Sequence, residues 1–335
     1  MSPGPARAVG PVVITDCDHG TVEPERRVLD GAGLTWRLEQ CRTGADVVAR
    51  ASDASVLVVQ YAPITAEVLD GVPDCRLVVR YGVGVDNVDV EAASARGVWV
   101  ANVPDYGTEE VADHAMALSL TLLRALPRLS ASVGTGEWEY RVGRPLRRLS
   151  TLRFGVVGCG SIGSVTGRRA AGFGMDVVGA DVSPHRPAPG SGITPVGLEE
   201  LLATSDVVSL HLGLSEQTRH LVDAAALATM KPTAVLVNTA RGGLVDSAAL
   251  LAALDAGRLA GAGLDVLEVE PPDEVGRRLA AHERVVLTPH TAWYSEESFV
   301  ALKTSVAQEA ARVLTGGAPL HPIGTPIGDP TGVRT

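Results

Sequence analysis

Residues 153–181 read RFGVVGCGSIGSVTGRRAAGFGMDVVGAD. An apolar run leads into Gly158-x-Gly160-x-x-Gly163, a helical pattern and a second apolar run follow, and the segment ends on Asp181. In such a pattern the first glycine makes a tight turn, the second lets a pyrophosphate approach the backbone, and the third lets helix and strand pack closely. The positive end of the helix then faces the phosphates. This stretch therefore predicts a dinucleotide-binding βαβ unit.

Asp181 predicts which dinucleotide is bound. A carboxylate at the end of the second strand can accept hydrogen bonds from both ribose hydroxyls, whereas it would repel a 2′-phosphate. The sequence therefore predicts NAD rather than NADP, and Arg186, a little further along, is the one residue that could weaken this preference. Glycine-rich turns also arise for packing alone, but strand, helix and terminal acid together favour the nucleotide.

The rest of the chain extends this α/β pattern in two series. Short apolar runs alternate with helical patterns, which is typical of parallel sheets covered by helices on both faces. With 335 residues, of which 45% are apolar, the chain can form two cores, and we expect two doubly wound parallel-sheet domains. The apolar runs are 12–14, 56–59, 77–79, 154–157, 177–178, 207–210, 234–237 and 285–287.

Two long helical patterns interrupt the series. Residues 108–126 predict one apolar-rich helix that begins at Thr108 with two acids in its first turn, where cap and charge both favour a helix start. Residues 134–150 predict an irregular arm, and 295–314 predict a second long helix. The proline-containing tail from Gly316 is expected to be extended.

Charge and composition argue against several kinds of partner. The net charge of −10 includes no long run of either sign, so we expect no nucleic-acid or membrane partner. No stretch approaches the ~18 apolar residues of a membrane span, and Met1–Pro11 lacks the apolar segment of a signal peptide. We expect a cytoplasmic protein without a metal, because its cysteines lack metal-ligand or CxxC spacing. They are Cys17, Cys41, Cys75 and Cys159.

Polar residues follow three predicted strands of the second series, at the edge where open α/β sheets bind ligands. If the predicted nicotinamide site reduces a 2-oxo acid, the site requires a cation to hold the carboxylate, for which arginine offers a rigid fork. It also requires a proton donor, and histidine suits this role when a carboxylate holds its other ring nitrogen. Arg241, Glu270 and His290 form such a set. Taken singly, each has an ordinary structural explanation, as a cation before a helix, a solvated acid and a structural histidine.

Long motifs resemble the D-isomer-specific 2-hydroxyacid dehydrogenase family from about Val12 to Pro322. Within that family, TPHTAWYSE is most similar to the C-terminal-binding-protein branch, in which a tryptophan follows the catalytic histidine by three residues; Trp293 has that place here. The motifs are VRYGVGVDNVD (79–89), NVPDYGTEEVADHA (102–115), SLHLGLSEQTRHLV (209–222), VNTARGGLVD (237–246), GAGLDVLEVEPP (261–272) and TPHTAWYSEES (288–298).

The resemblance implies roles for individual residues. Arg241 would bind the substrate carboxylate, Glu270 and His290 would form the acid–base pair, and Trp293 would lie beside the substrate side chain. The backbone of Gly82, Val83 and Gly84 would also hold the carboxylate. From its position after a strand of the first series, we further expect Tyr61 to lie near the substrate side chain, as Trp293 would. The expected cofactor-binding residues are Gly158, Gly160, Ser161, Ile162, Gly163, Asp181, His211, Gly213, Thr218, Thr239, Ala240 and Asp265.

The resemblance also implies a domain organisation. Residues 1–104 and 292–335 would form a flavodoxin-like substrate domain and 105–291 a Rossmann NAD domain, with the active-site cleft between them and homodimerisation through the NAD domain. The two long helices would be the crossovers. One departure is Ser161, where many members have arginine, which would weaken one phosphate contact.

Two other functions remain open. Animal members of the C-terminal-binding-protein branch are corepressors that recruit partner peptides, so an NAD-responsive binding protein is one alternative. A dehydrogenase of an unusual anion such as phosphonate, phosphite or formate is another. The complete set of Arg241, Glu270 and His290 favours an enzyme acting on a small 2-oxo or 2-hydroxy acid.

Overall fold

The computed structural model describes residues 9–183 and 186–326. The chain forms two compact units, Met1–Gly107 with Ser295–Thr335, and Thr108–Tyr294. The predicted domain boundaries, after residues 104 and 291, each lie three residues earlier than these. Two predictions fall partly outside the described residues. The segment Met1–Pro11, predicted to lack a signal peptide, is described only from residue 9, and the predicted extended tail from Gly316 is described only to residue 326.

The first unit contains a parallel sheet in the order β2-β1-β3-β4-β5, which is the flavodoxin-like order. β1 and β3 are buried along their whole length, as expected for strands with helices on both faces. The strands are β1 (Val12–Ile14), β2 (Trp36–Leu38), β3 (Val56–Val59), β4 (Leu77–Arg80) and β5 (Trp99–Ala101), and the helices between them are α1 (Glu23–Gly31), α2 (Gly44–Ala51), α3 (Ala66–Asp70) and α4 (Val90–Ala95).

The second unit contains a seven-stranded parallel sheet in the order β12-β11-β10-β9-β6-β7-β8, the Rossmann order with one further strand. Its strands are β6 (Arg153–Val157), β7 (Asp176–Ala180), β8 (Thr194–Pro195), β9 (Val207–Leu210), β10 (Val235–Asn238), β11 (Gly261–Leu264) and β12 (Val285–Leu287). Its helices are α5 (Thr108–Leu123), α6 (Leu126–Gly134), α7 (Ser161–Gly172), α8 (Leu198–Thr204), α9 (Ala224–Thr229), α10 (Ser247–Asp255) and α11 (Glu274–Ala281).

Successive strand residues of this sheet point into different cores. Val156 packs in one apolar cluster and Val157 in another. Alternation of this kind places one core on each face of the sheet. The continuous apolar runs in the sequence therefore reflect strands buried on both sides, as predicted.

The predicted helix over 108–126 is wrong at its end. α5 stops at Leu123, Ala125 has a left-handed backbone with φ of 49°, and α6 begins at Leu126. Pro127 lies in the first turn of α6, a position where its missing N–H costs nothing. Proline thus starts a new helix here, because it cannot donate the hydrogen bond that would continue the old one.

Four strands, β2, β5, β8 and β11, do not appear among the apolar runs of the sequence, although a strand was expected to end before Asp265, where β11 lies. Three of them are sheet edges and are only two or three residues long. The fourth, β11, is internal, but its sequence is Gly-Ala-Gly-Leu. A Cβ at Gly263 would lie 2.9 Å from the Cβ of Leu118 in α5. Close packing of α5 on this strand therefore requires glycine, and the strand lacks the β-branched residues by which a strand is usually identified in a sequence.

A last helix, α12 (Glu296–Leu314), belongs to the first unit and begins with a capping box at Ser295. Its Lys303 is fully buried, with Nζ 2.8 Å from Oε1 of Glu25 in α1, itself only 1% exposed. The Tyr81 hydroxyl donates to the same carboxylate, and Lys303 Nζ lies 3.3 Å from Cys17 Sγ. This buried ion pair fixes α12 against α1 and the sheet.

Across the described residues, no helix combines the length and apolarity needed to cross a membrane. The four cysteines are all buried and unpaired. No group of histidine, cysteine and acidic residues within 9–183 and 186–326 is arranged to hold a metal ion.

Candidate active site

The glycine loop lies where the strand order of the second sheet reverses, beside β6, the usual ligand-binding point of such sheets. Gly158 has φ of 90°, and a Cβ there would lie 2.5 Å from the carbonyl oxygen of His211. A Cβ at Gly163 would lie 2.0 Å from the carbonyl oxygen of Gly158. Both glycines are therefore required by the turn and by the packing of α7 on β6.

Gly160 differs from the other two glycines. The only described atom close to a Cβ placed there is Nη1 of Arg186, at 3.3 Å, so no backbone obstructs this side of the loop. Gly160 is also the N-cap of α7, with no side-chain cap and no acid in the first turn. The helix therefore presents its N-terminal N–H groups and its positive dipole end to an anion.

Asp181 directly follows β7, next to this loop. Its carboxylate accepts hydrogen bonds from the backbone N–H groups of Cys159 at 2.7 Å and Ser183 at 2.8 Å. The acid is thus held in a fixed position beside the glycine loop, as the predicted ribose-binding role requires.

Two buried polar atoms at the same sheet edge support a ligand here. Among the described residues, Nδ1 of His211 and Oγ1 of Thr239 have no hydrogen-bond partner. Buried polar atoms are nearly always paired, so these two are available to a bound molecule. Burial lowers the pKa of His211 to about 4, so its ring is neutral, and Nε2 lies 2.8 Å from Ser209 Oγ. The loop, the acid and these atoms fit a dinucleotide.

Other predicted cofactor residues organise their own segments. The Thr218 hydroxyl accepts from the N–H of Ser215 at 2.7 Å and donates to the carbonyl of Gly213 at 2.8 Å. The N–H of Ala240 donates to Oδ1 of Asn238 at 3.0 Å. Nδ2 of Asn238 donates to the carbonyl oxygen of Arg241 at 2.8 Å, so this asparagine shapes the turn on which Arg241 lies.

Asp265, predicted to line the cofactor site, is buried and hydrogen-bonded within the protein. Its carboxylate accepts from the Thr288 hydroxyl at 2.6 Å and from the N–H groups of Thr291 and Ala292, each at 2.9 Å. His114 Nε2 lies 2.9 Å from the same hydroxyl. Asp265 therefore fixes the segment that carries His290. Sequence reasoning missed His114, which lies in a helix far away along the chain.

His290 and Glu270 form a direct contact, with Nδ1 2.8 Å from Oε2. The other carboxylate oxygen accepts from the N–H of Leu267 at 2.9 Å. Burial would raise the pKa of Glu270, but the hydrogen bond and charge of His290, with the Leu267 N–H and the Arg241 charge, hold that pKa below its ordinary value. The carboxylate therefore stays charged and binds one ring nitrogen of His290.

Arg241 and Trp293 belong to the same unit as this pair. Arg241 follows β10, and its Nη1 donates to the carbonyl of Ala240 at 2.8 Å. Trp293 Nε1 donates to the carbonyl of His290 at 3.1 Å. His290 has a left-handed backbone, with φ of 51°. Such a conformation costs energy outside glycine, and the Asp265 and Trp293 hydrogen bonds offset it.

The remaining predicted residues lie in the first unit, at the carboxyl ends of β3 and β4. Tyr61 is 65% exposed, and its N–H donates to Oδ2 of the buried Asp16 at 2.6 Å. Gly82 has φ of 123°, and the carbonyl of Val83 accepts from Nδ2 of Asn102 at 2.6 Å. Both segments are thus fixed at the ligand-binding edge of their own sheet.

A second histidine–glutamate pair in the second unit was not predicted. His220 Nε2 lies 2.6 Å from Oε1 of Glu268, and Oε2 accepts from the N–H of Ser247 at 2.9 Å. The N–H of His220 donates to the carbonyl of Gly243 at 2.8 Å. This pair joins the loop after β11 to the start of α10.

Comparison with known proteins identifies the family. Residues 116–292, more than half of the chain, match the family model described as D-isomer specific 2-hydroxyacid dehydrogenase, NAD binding domain. The chain belongs to the D-isomer-specific 2-hydroxyacid dehydrogenase family. It is 39% identical over 292 residues to a glyoxylate reductase of Korarchaeum cryptofilum, an alignment covering 85% of this chain and 87% of that protein.

Other members of the family agree. A D-3-phosphoglycerate dehydrogenase of Methanocaldococcus jannaschii is 37% identical over 308 residues, and this chain, matched over 91% of its length, spans 57% of that longer protein. The D-lactate dehydrogenase of Aquifex aeolicus, solved with NAD and lactic acid, superimposes with a TM-score of 0.84 at 28% identity, covering 91% of this chain and 96% of that one. As a member of this family, the chain is an NAD-dependent dehydrogenase.

Proposed function

We propose that this dehydrogenase interconverts a small 2-oxo acid and the corresponding D-2-hydroxy acid, with Arg241, Glu270 and His290 as its catalytic residues. The observation that carries the proposal is the 2.8 Å contact between His290 and Glu270 at the sheet edge of an NAD-binding unit, with the Arg241 charge acting on the same carboxylate. A cation, a proton donor and a carboxylate that holds the donor are the groups that carbonyl reduction requires.

In the proposed mechanism, Arg241 binds the substrate carboxylate through its guanidinium fork and polarises the carbonyl. NADH, when bound at the glycine loop, would supply the hydride. His290, held through Nδ1 by Glu270, donates a proton from Nε2 to the developing alkoxide, and in the opposite direction the same nitrogen accepts a proton from the hydroxyl. Glu270 keeps its charge throughout and orients the ring.

The proposed cofactor site consists of the glycine loop, Asp181, His211 and Thr239. The α7 N-terminus would accept the pyrophosphate and Asp181 the ribose hydroxyls. Ser161, Ile162, Gly213, Ala240 and the remaining predicted residues would line the same edge. We expect NADH to bind more tightly than NADPH, because a 2′-phosphate would meet the Asp181 carboxylate. Equal binding of the two would contradict this assignment.

We propose an apolar or aromatic substrate side chain, supported by Trp293, whose ring nitrogen donates to the carbonyl of His290. A contribution of Tyr61 to the same side-chain pocket stays a prediction. The sequence of the TPHTAWYSE segment supports a place near the C-terminal-binding-protein branch. Because the relatives include glyoxylate, hydroxypyruvate and phosphoglycerate enzymes, the substrate is a question for experiment. A strong preference for 3-phosphohydroxypyruvate would contradict the proposed pocket.

The deciding experiment is steady-state oxidation of NADH over a panel of 2-oxo acids, with phosphonate, phosphite and formate tested in the oxidative direction. We expect turnover with 2-oxo acids and its loss in His290→Gln, while the variant still binds NADH. NADH binding without turnover of any compound would instead favour the corepressor-like binding protein.

We also propose a cytoplasmic homodimer formed through the NAD domain. Large apolar side chains are exposed on α6 and the segment after it, and Trp138 is 91% exposed. Monomers rarely expose so many neighbouring apolar groups, which supports their burial against a second copy. The others are Leu126, Val133, Tyr140 and Leu146. Light scattering should give twice the chain mass, and Trp138→Glu should yield monomers.

A further inference from the structure

Arg186 follows β7 in the second unit, and its guanidinium reaches back to the glycine loop. Nη1 lies 3.3 Å from the position of a Cβ at Gly160, the one glycine of the motif that no backbone obstructs. Within residues 9–183 and 186–326, the Arg186 side chain forms no hydrogen bond or ion pair. It is therefore an unpaired cation beside a helix N-terminus.

This placement is electrostatically unfavourable in the protein alone. The N-terminus of α7 carries the positive end of the helix dipole, and neither its cap nor its first turn contains an acid. A cation beside that end is repelled unless an anion lies between them. Arg186 also acts on the loop itself: burial and Asp181 raise the pKa of Cys159 to about 11, and the Arg186 charge opposes that rise.

Asp181, which follows the same strand, forms no ion pair with Arg186 in the described part of the chain. Both of its oxygens accept backbone N–H groups, from Cys159 and Ser183. At the same edge, the unpaired buried atoms of His211 and Thr239 independently indicate a ligand. An anionic group bound over Gly160 would lie between the Arg186 guanidinium and the N-terminus of α7.

We propose that Arg186 binds the pyrophosphate of NAD(H), and that it is a determinant of cofactor affinity rather than of selection for a 2′-phosphate. The guanidinium lies over Gly160, the point at which a pyrophosphate approaches the backbone, whereas the ribose end is occupied by Asp181. Arg186 thereby completes a cradle of helix N–H groups and one fixed cation. The inference rests on the NAD-binding domain and not on the proposed substrate.

The test measures binding without any 2-oxo acid, by NADH fluorescence and by competition with ADP-ribose, NADPH and adenosine. Loss of a charge-assisted hydrogen bond should weaken NADH and ADP-ribose binding by about tenfold or more in Arg186→Ala and Arg186→Gln. Adenosine, which has no pyrophosphate, should bind as in the wild type. Arg258→Ala, which removes another exposed cation of this unit, is the control for net charge and should leave all affinities unchanged.

A compensating variant sharpens the test. Ser161 is the first residue of α7 and is exposed, so Ser161→Arg can place a guanidinium at the same helix end. In the Arg186→Ala background it should restore most of the lost NADH affinity. Wild-type NADH affinity in folded Arg186→Ala would overturn the proposal. So would a loss confined to NADPH, which would make Arg186 a 2′-phosphate residue.

Discussion

Two histidine–glutamate pairs lie in the same unit and look alike. His290 and His220 both have left-handed backbones, with φ of 51° and 52°. In each pair one carboxylate oxygen meets the ring and the other accepts a backbone N–H. The two pairs differ in which ring nitrogen contacts the carboxylate and in the groups around the carboxylate. Glu270 holds Nδ1 of His290 and feels the Arg241 charge, whereas Glu268 holds Nε2 of His220 and the N-terminus of α10. The two contacts are too similar for the contact alone to identify a catalytic histidine, so we base the proposed assignment on the neighbouring groups.

The largest expected effect separates the two histidines. His290→Gln should lower turnover by about 10²–10⁴-fold, the usual scale of general acid–base catalysis, without weakening NADH binding. His220→Gln, the matched control, should lower the melting temperature and change turnover only a few-fold. Similar losses of turnover in the two folded variants would remove the distinction drawn between the pairs.

The next effect concerns Arg241, whose charge helps to lower the pKa of Glu270. Arg241→Lys should raise KM and also lower kcat, because a point charge replaces a fork that both binds the carboxylate and polarises the carbonyl. We expect kcat/KM to fall by at least about tenfold, the cost of one charge-assisted hydrogen bond. If only KM changed, Arg241 would bind substrate without taking part in the chemistry.

A smaller and more specific effect concerns the pH profile. Glu270→Gln removes the carboxylate charge that contacts the His290 ring at 2.8 Å. The alkaline limb of the rate of 2-oxo acid reduction should then move down by about one pH unit. Glu268→Gln should leave the profile in place while lowering stability. An unmoved profile in folded Glu270→Gln, measured where chemistry limits the rate, would refute the pairing.

The smallest effect is the contribution of the two pairs to acid stability. Hydrogen bonds and charge hold the pKa values of Glu268 and Glu270 below the ordinary glutamate value, despite partial burial that acts in the opposite direction. A lowered carboxyl pKa stabilises the fold at neutral pH, and this contribution is lost as the pH falls through the native value. Since both carboxylates are partly exposed, each should contribute at most about 1 kcal/mol. Urea unfolding of the glutamine variants at pH 7 and pH 3.5 measures it; a difference that grows on acidification would contradict this sign.

A feature can be predicted from the sequence when a local requirement of the backbone or the strand determines the residue type at that position. The glycine motif, Asp181 and the strands buried on both faces follow from local chemistry, and they were predicted. The break at Ala125 was not, since Pro127 alone does not show whether a helix kinks or restarts. β11 does not show as an apolar run because α5 requires glycine there. The sequence also could not reveal His114 or the His220–Glu268 pair, because both depend on contacts between distant segments. The roles of Arg241, Glu270 and His290 remain predictions.

The buried contact between Lys303 and Glu25 has a consequence for biosynthesis. Glu25 is made early and Lys303 nearly three hundred residues later, yet each charge lacks its ion-pair partner until both are present. Burying one of them alone would be strongly unfavourable. The first unit therefore cannot complete its core while α12 is still inside the ribosome. The second unit is continuous in sequence and can fold before α12 has been synthesised. We therefore expect the second unit to fold first on the ribosome, although the first unit begins earlier in the chain.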